Sequence, residues 1–229
     1  MKNPITRIAL IHATALAMEP VQSAFTRHWP DAYCMNLLDD SLSVDRAQAG
    51  SLSPEMTQRF IDLAAYSVRA GCHAILFTCS AFGSSIEAAG RAVGLPTLKP
   101  NEAMFDDALR AGLRLARPAK LGLIATFEAS IASMSEELQA MAKQRGQEID
   151  LRTQFVPDAM QDLAQGRAEE HHRKIAGAAR ALKDCDLVML AQFSMAAALP
   201  SVHAVLGCPV LSSPDCAVLA LKKIVKDET

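Results

Sequence analysis

The chain alternates short apolar runs with longer stretches whose apolar residues recur at helical spacing. In the first half, four apolar runs bounded by turn residues predict buried parallel strands at 7–13, 33–38, 74–78 and 96–98. Between two of them, apolar residues at helical spacing predict a helix over 54–70, with Gly71 placed to cap its end. Because strands alternate with helices, the pattern predicts a doubly wound parallel sheet.

The second half of the chain repeats the first. The run beginning at Lys120 repeats the run beginning at Arg7, 113 positions earlier, and Cys185 follows Cys72 by the same distance. This register predicts an α/β fold of two similar doubly wound parallel-sheet domains, related by pseudo-twofold symmetry, with a cleft between them. We expect the first domain to comprise residues 1–98 plus 208–229, and the second to comprise 99–207.

Composition narrows the classes of function. The 229 residues carry a net charge of −2, with a pI near 6.3, so no basic surface for nucleic acid is expected. Without any run of about 20 apolar residues, no membrane partner is expected either. Six cysteines without a C-x-x-C pair predict free thiols in a reducing, cytoplasmic setting and no metal site. His171 and His172 point about 100° apart on a helix, so we expect a solvated face there and no chelate.

The residues that follow the strands are the candidates for chemistry, because open α/β sheets bind ligands beyond the carboxyl ends of their strands. Cys79 follows the third strand and precedes a predicted helix. Helix amides and the helix dipole stabilise a thiolate, so we expect a lowered pKa for Cys79. The alternative is a small buried residue with a packing role. Residues that follow other strands are His12, Thr14, Asp39, Thr126, Gln192 and Ser194.

The run Phe77-Thr78-Cys79-Ser80 resembles the first cysteine motif of the aspartate/glutamate/hydantoin racemase superfamily. Further similar pieces, Ala125-Thr126, Val156-Pro157 and Pro209-Val210-Leu211, extend the resemblance over nearly the whole chain. It implies a cofactor-independent racemase or isomerase that acts beside the carboxylate of a small acid. In that superfamily two cysteines move protons on opposite faces of the α-carbon. By resemblance, Ser80, Thr126 and Ser194 would cradle the carboxylate. From their places after strands, Thr14, Asp39 and Gln192 are further substrate-binding candidates.

The chain departs from that pattern at the second cysteine. Both the superfamily and the internal register place it at position 192, where Gln192 stands. An amide neither removes nor delivers a proton near neutral pH. Cys208 precedes a predicted strand, and Cys216, which opens the last helix, is a weak replacement.

Three hypotheses follow from the missing cysteine. His12, at the end of the first strand, could be the second acid, although a structural histidine is an equal alternative. A single thiol could act on one face only, as in the arylmalonate decarboxylases, which would make the protein a lyase or a one-sided isomerase. Cys79 could instead act as a nucleophile, or line a carboxylate-binding site without catalysis. In all three the ligand is a small carboxylic acid, no cofactor is expected, and homo-oligomerisation stays open.

Overall fold

The computed structural model describes residues 5–227, and the chain divides into two compact units. The first unit runs up to Pro100 and resumes at Ala217, whereas the second comprises Asn101–Cys216. Residues 1–4 and 228–229 of the predicted first domain lie outside the described residues.

The first unit is a four-stranded parallel sheet flanked by helices. Its elements are β1 (Arg7–His12), α1 (Met18–His28), β2 (Tyr33–Leu38), α2 (Ser41–Ala49), α3 (Pro54–Arg69), β3 (Ala74–Phe77), α4 (Gly83–Val93) and β4 (Thr97–Leu98), with 3-10 turns at Ala15–Ala17 and Ser80–Phe82. The strand order is β2-β1-β3-β4, and every pair is parallel. The predicted strands and the helix after residue 54 are therefore present, with ends that differ by one residue.

The second unit has the same strand order. Its elements are α5 (Glu102–Gly112), β5 (Ala119–Ala125), α6 (Ala129–Gln144), β6 (Ile149–Phe155), α7 (Ala159–Ala164), α8 (Ala168–Ala179), β7 (Leu187–Leu190), α9 (Leu199–His203) and β8 (Val210–Ser212), with 3-10 turns at Arg180–Leu182 and Phe193–Ala198. The last helix, α10 (Ser213–Asp227), begins in this unit and continues into the first unit. The order is β6-β5-β7-β8, again all parallel. The α/β class with two similar parallel sheets is confirmed.

The pairing of strands shows the same duplication residue by residue. Ile8 pairs with Ala74 in the first sheet, and Leu121 pairs with Leu187 in the second, each 113 positions later. The second strand of each unit is the exception, because Arg7 faces Tyr33 whereas Lys120 faces Asp150, 117 positions on. The second unit is therefore four residues longer (117 − 113) between its first and second strands.

The place where the chain returns to the first unit differs from the expected one. Val188 of β7 pairs with Val210 of β8, so residues 208–216 belong to the second unit and the return begins at Ala217. The physical reason is that both sheets have four strands in the same order. β8 closes the second sheet as β4 closes the first, so the chain crosses over only within α10.

A cluster of aromatic rings supports the carboxyl end of the first sheet. Phe60 of α3 lies 5.3 Å from Phe77 at the end of β3 and 4.8 Å from Phe82, measured between ring centroids. All three rings are buried. Because Phe82 ends the turn that Cys79 begins, the core holds that turn in place.

His171 corrects the expectation of a solvated histidine pair. Its side chain is fully buried, on the face of α8 that also carries Ile175 and Ala179. These residues are four apart, so they share the stripe that packs inward. Burial lowers the pKa of His171 to about 4, so the ring is neutral at pH 7.

Among the described residues, no helix combines the length and the apolar character that crossing a membrane requires.

Candidate functional site

Cys79 lies directly beyond the carboxyl end of β3, the strand next to the central β1. Its backbone is extended (φ −117°, ψ 122°), so it continues the strand before the turn Ser80–Phe82 begins. The residue is partly exposed, unlike the fully buried strand that precedes it, but its thiol is buried. This is the position at which open α/β sheets present reactive groups.

Burial dominates the electrostatics of the Cys79 thiol. It raises the pKa of Cys79, while the backbone N–H of Ala81 and the hydroxyl of Ser43 lower it by a smaller amount. The expectation of a lowered pKa is therefore wrong. The residues after Cys79 form a three-residue 3-10 turn, and α4 begins only at Gly83, so the N-terminus of a long helix does not meet the sulfur.

Ser43 is a neighbour of Cys79 that the sequence did not reveal. It lies on α2, and its hydroxyl donates to the carbonyl oxygen of Ala13 at 2.7 Å. A hydroxyl has one proton, so while it bonds to Ala13 it offers only lone pairs to the Cys79 thiol. If the thiol ionises, the hydroxyl can rotate and donate to the sulfur. No local pattern marks Ser43, because only the fold brings it to Cys79.

His12 links three strands and is fully buried. Its Nε2 lies 2.9 Å from Oδ1 of Asn36 on β2, and its Nδ1 lies 2.9 Å from the hydroxyl oxygen of Thr78, which follows β3. An amide oxygen only accepts, so Nε2 carries the hydrogen and Nδ1 accepts from Thr78. Burial lowers the pKa of His12, although the Asn36 bond opposes this.

The geometry of His12 favours the structural alternative, and the acid role stays a prediction. Both ring nitrogens are engaged and the ring has no exposed surface. Proton delivery to a ligand would break a buried hydrogen bond, which is costly. The ring holds Thr78, the residue before Cys79, by a hydrogen bond.

The other candidates in the first unit differ in whether their side chains are free to bind a ligand. Thr14 caps its turn, since its hydroxyl oxygen accepts from the backbone N–H of Leu16 at 3.4 Å. Ser80 begins the turn next to Cys79 and is partly exposed, and its hydroxyl makes no hydrogen bond to residues 5–227.

Asp39 is engaged within its own unit. Its carboxylate accepts from Ser41 at 2.7 Å and from Nε of Arg59 at 3.1 Å, and Arg59 also pairs with Asp45. Burial raises the pKa of Asp39, but the bonds from Arg59 and Ser41 outweigh it and hold the pKa below the ordinary value.

Gln192 takes the place in the second unit that Cys79 has in the first. Its Oε1 accepts from the backbone N–H of Thr126 at 2.8 Å and from the Thr126 hydroxyl at 3.3 Å. Its Nε2 donates to the hydroxyl oxygen of Ser130 at 2.8 Å. The Thr126 donors that we expected to bind a carboxylate therefore bind the protein's own amide. Ser194 is buried in the turn that follows Gln192.

The sequence of residues 8–221 matches the family model described as Asp/Glu/Hydantoin racemase. The chain belongs to this family. The match spans both units, in agreement with the resemblance read from the Cys79 motif. No curated protein sequence matched the chain.

Solved structures share the fold at low sequence identity. A glutamate racemase from Bacillus anthracis superposes with a TM-score of 0.73 at 17% identity, covering 97% of this chain and 82% of that one. An allantoin racemase from Pseudomonas fluorescens gives 0.69 at 14% identity, with coverages of 97% and 92%. An unliganded arylmalonate decarboxylase gives 0.59 at 18% identity, with coverages of 98% and 94%. One fold thus accommodates racemases and a decarboxylase.

Within this racemase-family chain, each sheet collects its own candidates at its carboxyl end. The first sheet has His12, Thr14, Cys79 and Ser80, whereas the second has Thr126, Gln192 and Ser194. Asp39 follows β2 but is tied to Arg59. The supporting residues that the sequence did not reveal are Asn36, Ser43, Thr78 and Ser130.

The reactivity of the thiol should reflect its surroundings. Because thiolate is the reactive form, we expect iodoacetamide to label Cys79 slowly at pH 7, with a rate that rises up to a midpoint above the ordinary thiol value. Ser43→Ala removes a donor to the thiolate and should move that midpoint higher, whereas Ser43→Thr should keep it. Peptide mass spectrometry at successive pH values measures the rate. A midpoint below that of a denatured control would contradict this account.

Proposed function

We propose that this protein is a cofactor-independent racemase or isomerase that acts at the carbon next to the carboxylate of a small acid, with Cys79 as the thiol acid/base. The observation that supports this most strongly is the setting of Cys79: a partly exposed residue beyond β3, whose buried thiol has the Ala81 amide and the Ser43 hydroxyl beside it. Membership of the racemase family supplies the reaction class.

The groups around Cys79 suit proton transfer. With its raised pKa the thiol is protonated near neutral pH, so it is ready to donate a proton to a carbanion or enediolate. After donation, the Ala81 N–H and a rotated Ser43 hydroxyl stabilise the thiolate. In the other direction, that thiolate removes the proton from the carbon next to the carboxylate and so forms the carbanion. Inversion then requires a proton from solvent water on the opposite face, because neither the Gln192 amide nor the buried His12 ring supplies one. The unpartnered Ser80 hydroxyl is the candidate donor to the substrate carboxylate.

A single-thiol lyase is the second candidate. Gln192 stands where a second cysteine is expected, and its amide is held by Thr126 and Ser130. Such a group transfers no proton. A decarboxylation needs one proton on one face, because loss of carbon dioxide generates the carbanion without a base. A non-catalytic carboxylate-binding protein is the third possibility. The deuterium-exchange experiment described next distinguishes it from the two enzymes.

Deuterium exchange separates these functions. The protein is incubated in D2O with single enantiomers of aspartate, glutamate and allantoin, and with an arylmalonate. We expect NMR to show deuterium at the carbon beside the carbonyl group, and chiral chromatography to show inversion, for an acid that the enzyme accepts. Carbon dioxide release with a deuterated product would identify the lyase.

The remaining outcomes are equally informative. Exchange with full retention of configuration means that one face only is served, which contradicts racemisation but keeps the role of the thiol. Saturable binding of an acid, by calorimetry, without exchange or carbon dioxide release would identify a binding protein and refute the enzymatic proposal.

A further inference from the structure

Three of the four outer sheet edges carry features that discourage pairing with another chain. β4 has two residues and β8 has three, and short edge strands offer little to pair with. β6 carries Asp150 and Arg152, and charged side chains also protect an edge. β2 is different, because its sequence YCMNLL is six residues long and contains neither a charge nor a proline.

The backbone of β2 leaves a row of groups pointing away from the sheet. Tyr33 donates to the carbonyl of Thr6 at 2.8 Å, and Asp39 donates to that of His12 at 3.0 Å, so odd-numbered residues bond to β1. In a strand, alternate residues face opposite neighbours. The amides and carbonyls of Cys34, Asn36 and Leu38 therefore face outward, and no other strand in residues 5–227 pairs with them.

Exposed apolar side chains surround this edge. Tyr33 at the start of β2 is 53% exposed, Leu38 at its end 43%, and Tyr66 on the adjacent α3 50%. Two grooves run beside the strand. One lies against α1 and is lined by Trp29 and Cys34, and the other lies against α3. Apolar surface concentrated along an open edge is typical of a protein interface.

The charges beside β2 are arranged with opposite signs at its two ends. The guanidinium group of Arg7 lies 5.1 Å from the centre of the Tyr33 ring, at the start of the strand. Arg69, over the ring of Tyr66, ends α3 near the same point. Asp39 and Asp40 follow the end of β2. Asp31 precedes β2, and Arg59 pairs with Asp39, so the start of the strand keeps an excess of one positive charge and its end an excess of one negative charge. An antiparallel copy would place these opposite excesses beside each other at both ends.

We propose that β2 pairs antiparallel with β2 of a second copy of this chain, around a twofold axis at Asn36. In that register Cys34 faces Leu38 of the second copy, and the two Asn36 residues face each other. The outward groups then form six inter-chain hydrogen bonds and join the two first-unit sheets into one of eight strands. Around a twofold axis, the strand pairs with an identical strand whose end charges complement its own. An unrelated strand would not have these complementary charges. This proposal does not depend on the catalytic one.

Sedimentation velocity with a surface substitution tests the interface. The unaltered protein should sediment as a dimer. Leu38→Lys places a cation on each side of the axis, and should raise the dimer dissociation constant about a hundredfold, or tenfold per copy. Leu219→Lys, at a side chain that is 50% exposed on α10, is the matched control and should leave the dimer intact.

A disulfide tests the register. Opposite residues in a hydrogen-bonded antiparallel pair have Cα atoms about 5.5 Å apart, within disulfide range. Leu38→Cys should therefore form a bond to the native Cys34 of the second copy under copper phenanthroline. Peptide mass spectrometry identifies the linked pair. Adding Cys34→Ser should abolish this cross-link and leave the dimer.

Three results obtained with this chain alone would overturn the proposal. They are a wild-type chain that stays monomeric at high micromolar concentration, a dimer that Leu38→Lys does not weaken, and a Leu38→Cys cross-link that bypasses Cys34. The β2 amides of a monomer could also become protected from hydrogen exchange only when an unrelated protein is added. That result would show that the edge binds the other protein, and it would equally refute self-pairing.

Discussion

Cys79→Ser should lower turnover of an accepted substrate by about 10²–10⁴-fold, the range that a positioned acid or base contributes. A serine hydroxyl fits the space of the thiol, but it does not ionise in the pH range where a thiol does. Steady-state rates and the deuterium exchange rate measure the loss. Circular dichroism should show an unchanged fold, since the substitution removes little volume.

Cys208→Ser provides the matched control for that experiment. Cys208 is also partly exposed, but it precedes β8 and so lies at the opposite end of its sheet from the candidate residues. We expect the rate of this variant to stay within about twofold of wild type. A Cys79→Ser enzyme that keeps its full rate would show that another group moves the proton.

Phe82→Ala should have the largest effect on stability. The Phe82 ring is fully buried against Phe60, so truncation leaves a cavity and should cost about 3–5 kcal/mol in the free energy of unfolding. Phe82 also ends the turn that Cys79 begins, so we expect the turnover rate to fall even where the variant is fully folded. Urea unfolding followed by circular dichroism measures the first effect, and rates at low temperature measure the second.

Leu113→Ala gives the comparison for this loss of stability. The Leu113 side chain is 64% exposed, so its truncation should change the free energy of unfolding by no more than about 0.5 kcal/mol. A loss below about 1 kcal/mol for Phe82→Ala would mean that the aromatic cluster does not support the turn.

Local patterns were sufficient for the architecture. Apolar runs such as the one beginning at Arg7 become strands because both faces of a parallel sheet are buried, and the repeat at 113 positions becomes the same strand order. The place of Cys79 beyond β3 follows from this alternation alone. The family could be inferred for the same reason, because the Cys79 motif is contiguous in sequence.

The surroundings of individual side chains could not be inferred from local sequence patterns. The raised pKa of Cys79 depends on burial and on Ser43, which lies 36 residues away in the chain. His171 resembled a solvated histidine until packing of α8 placed it in the core. The crossover at Ala217 depended on whether β8 completes the second sheet. Each of these outcomes depends on contacts between residues that are distant in sequence.

The sequence by itself therefore determined the α/β class, the two repeated sheets and the strand end that carries Cys79, since these depend on short-range periodicity. The tertiary structure decided that His12 holds Thr78 by a hydrogen bond, that Gln192 accepts the hydrogen bonds that Thr126 donates, and that β2 has an open edge. The physical reason is that hydrogen bonds, burial and strand edges depend on which residues meet in space, and periodicity does not specify those partners.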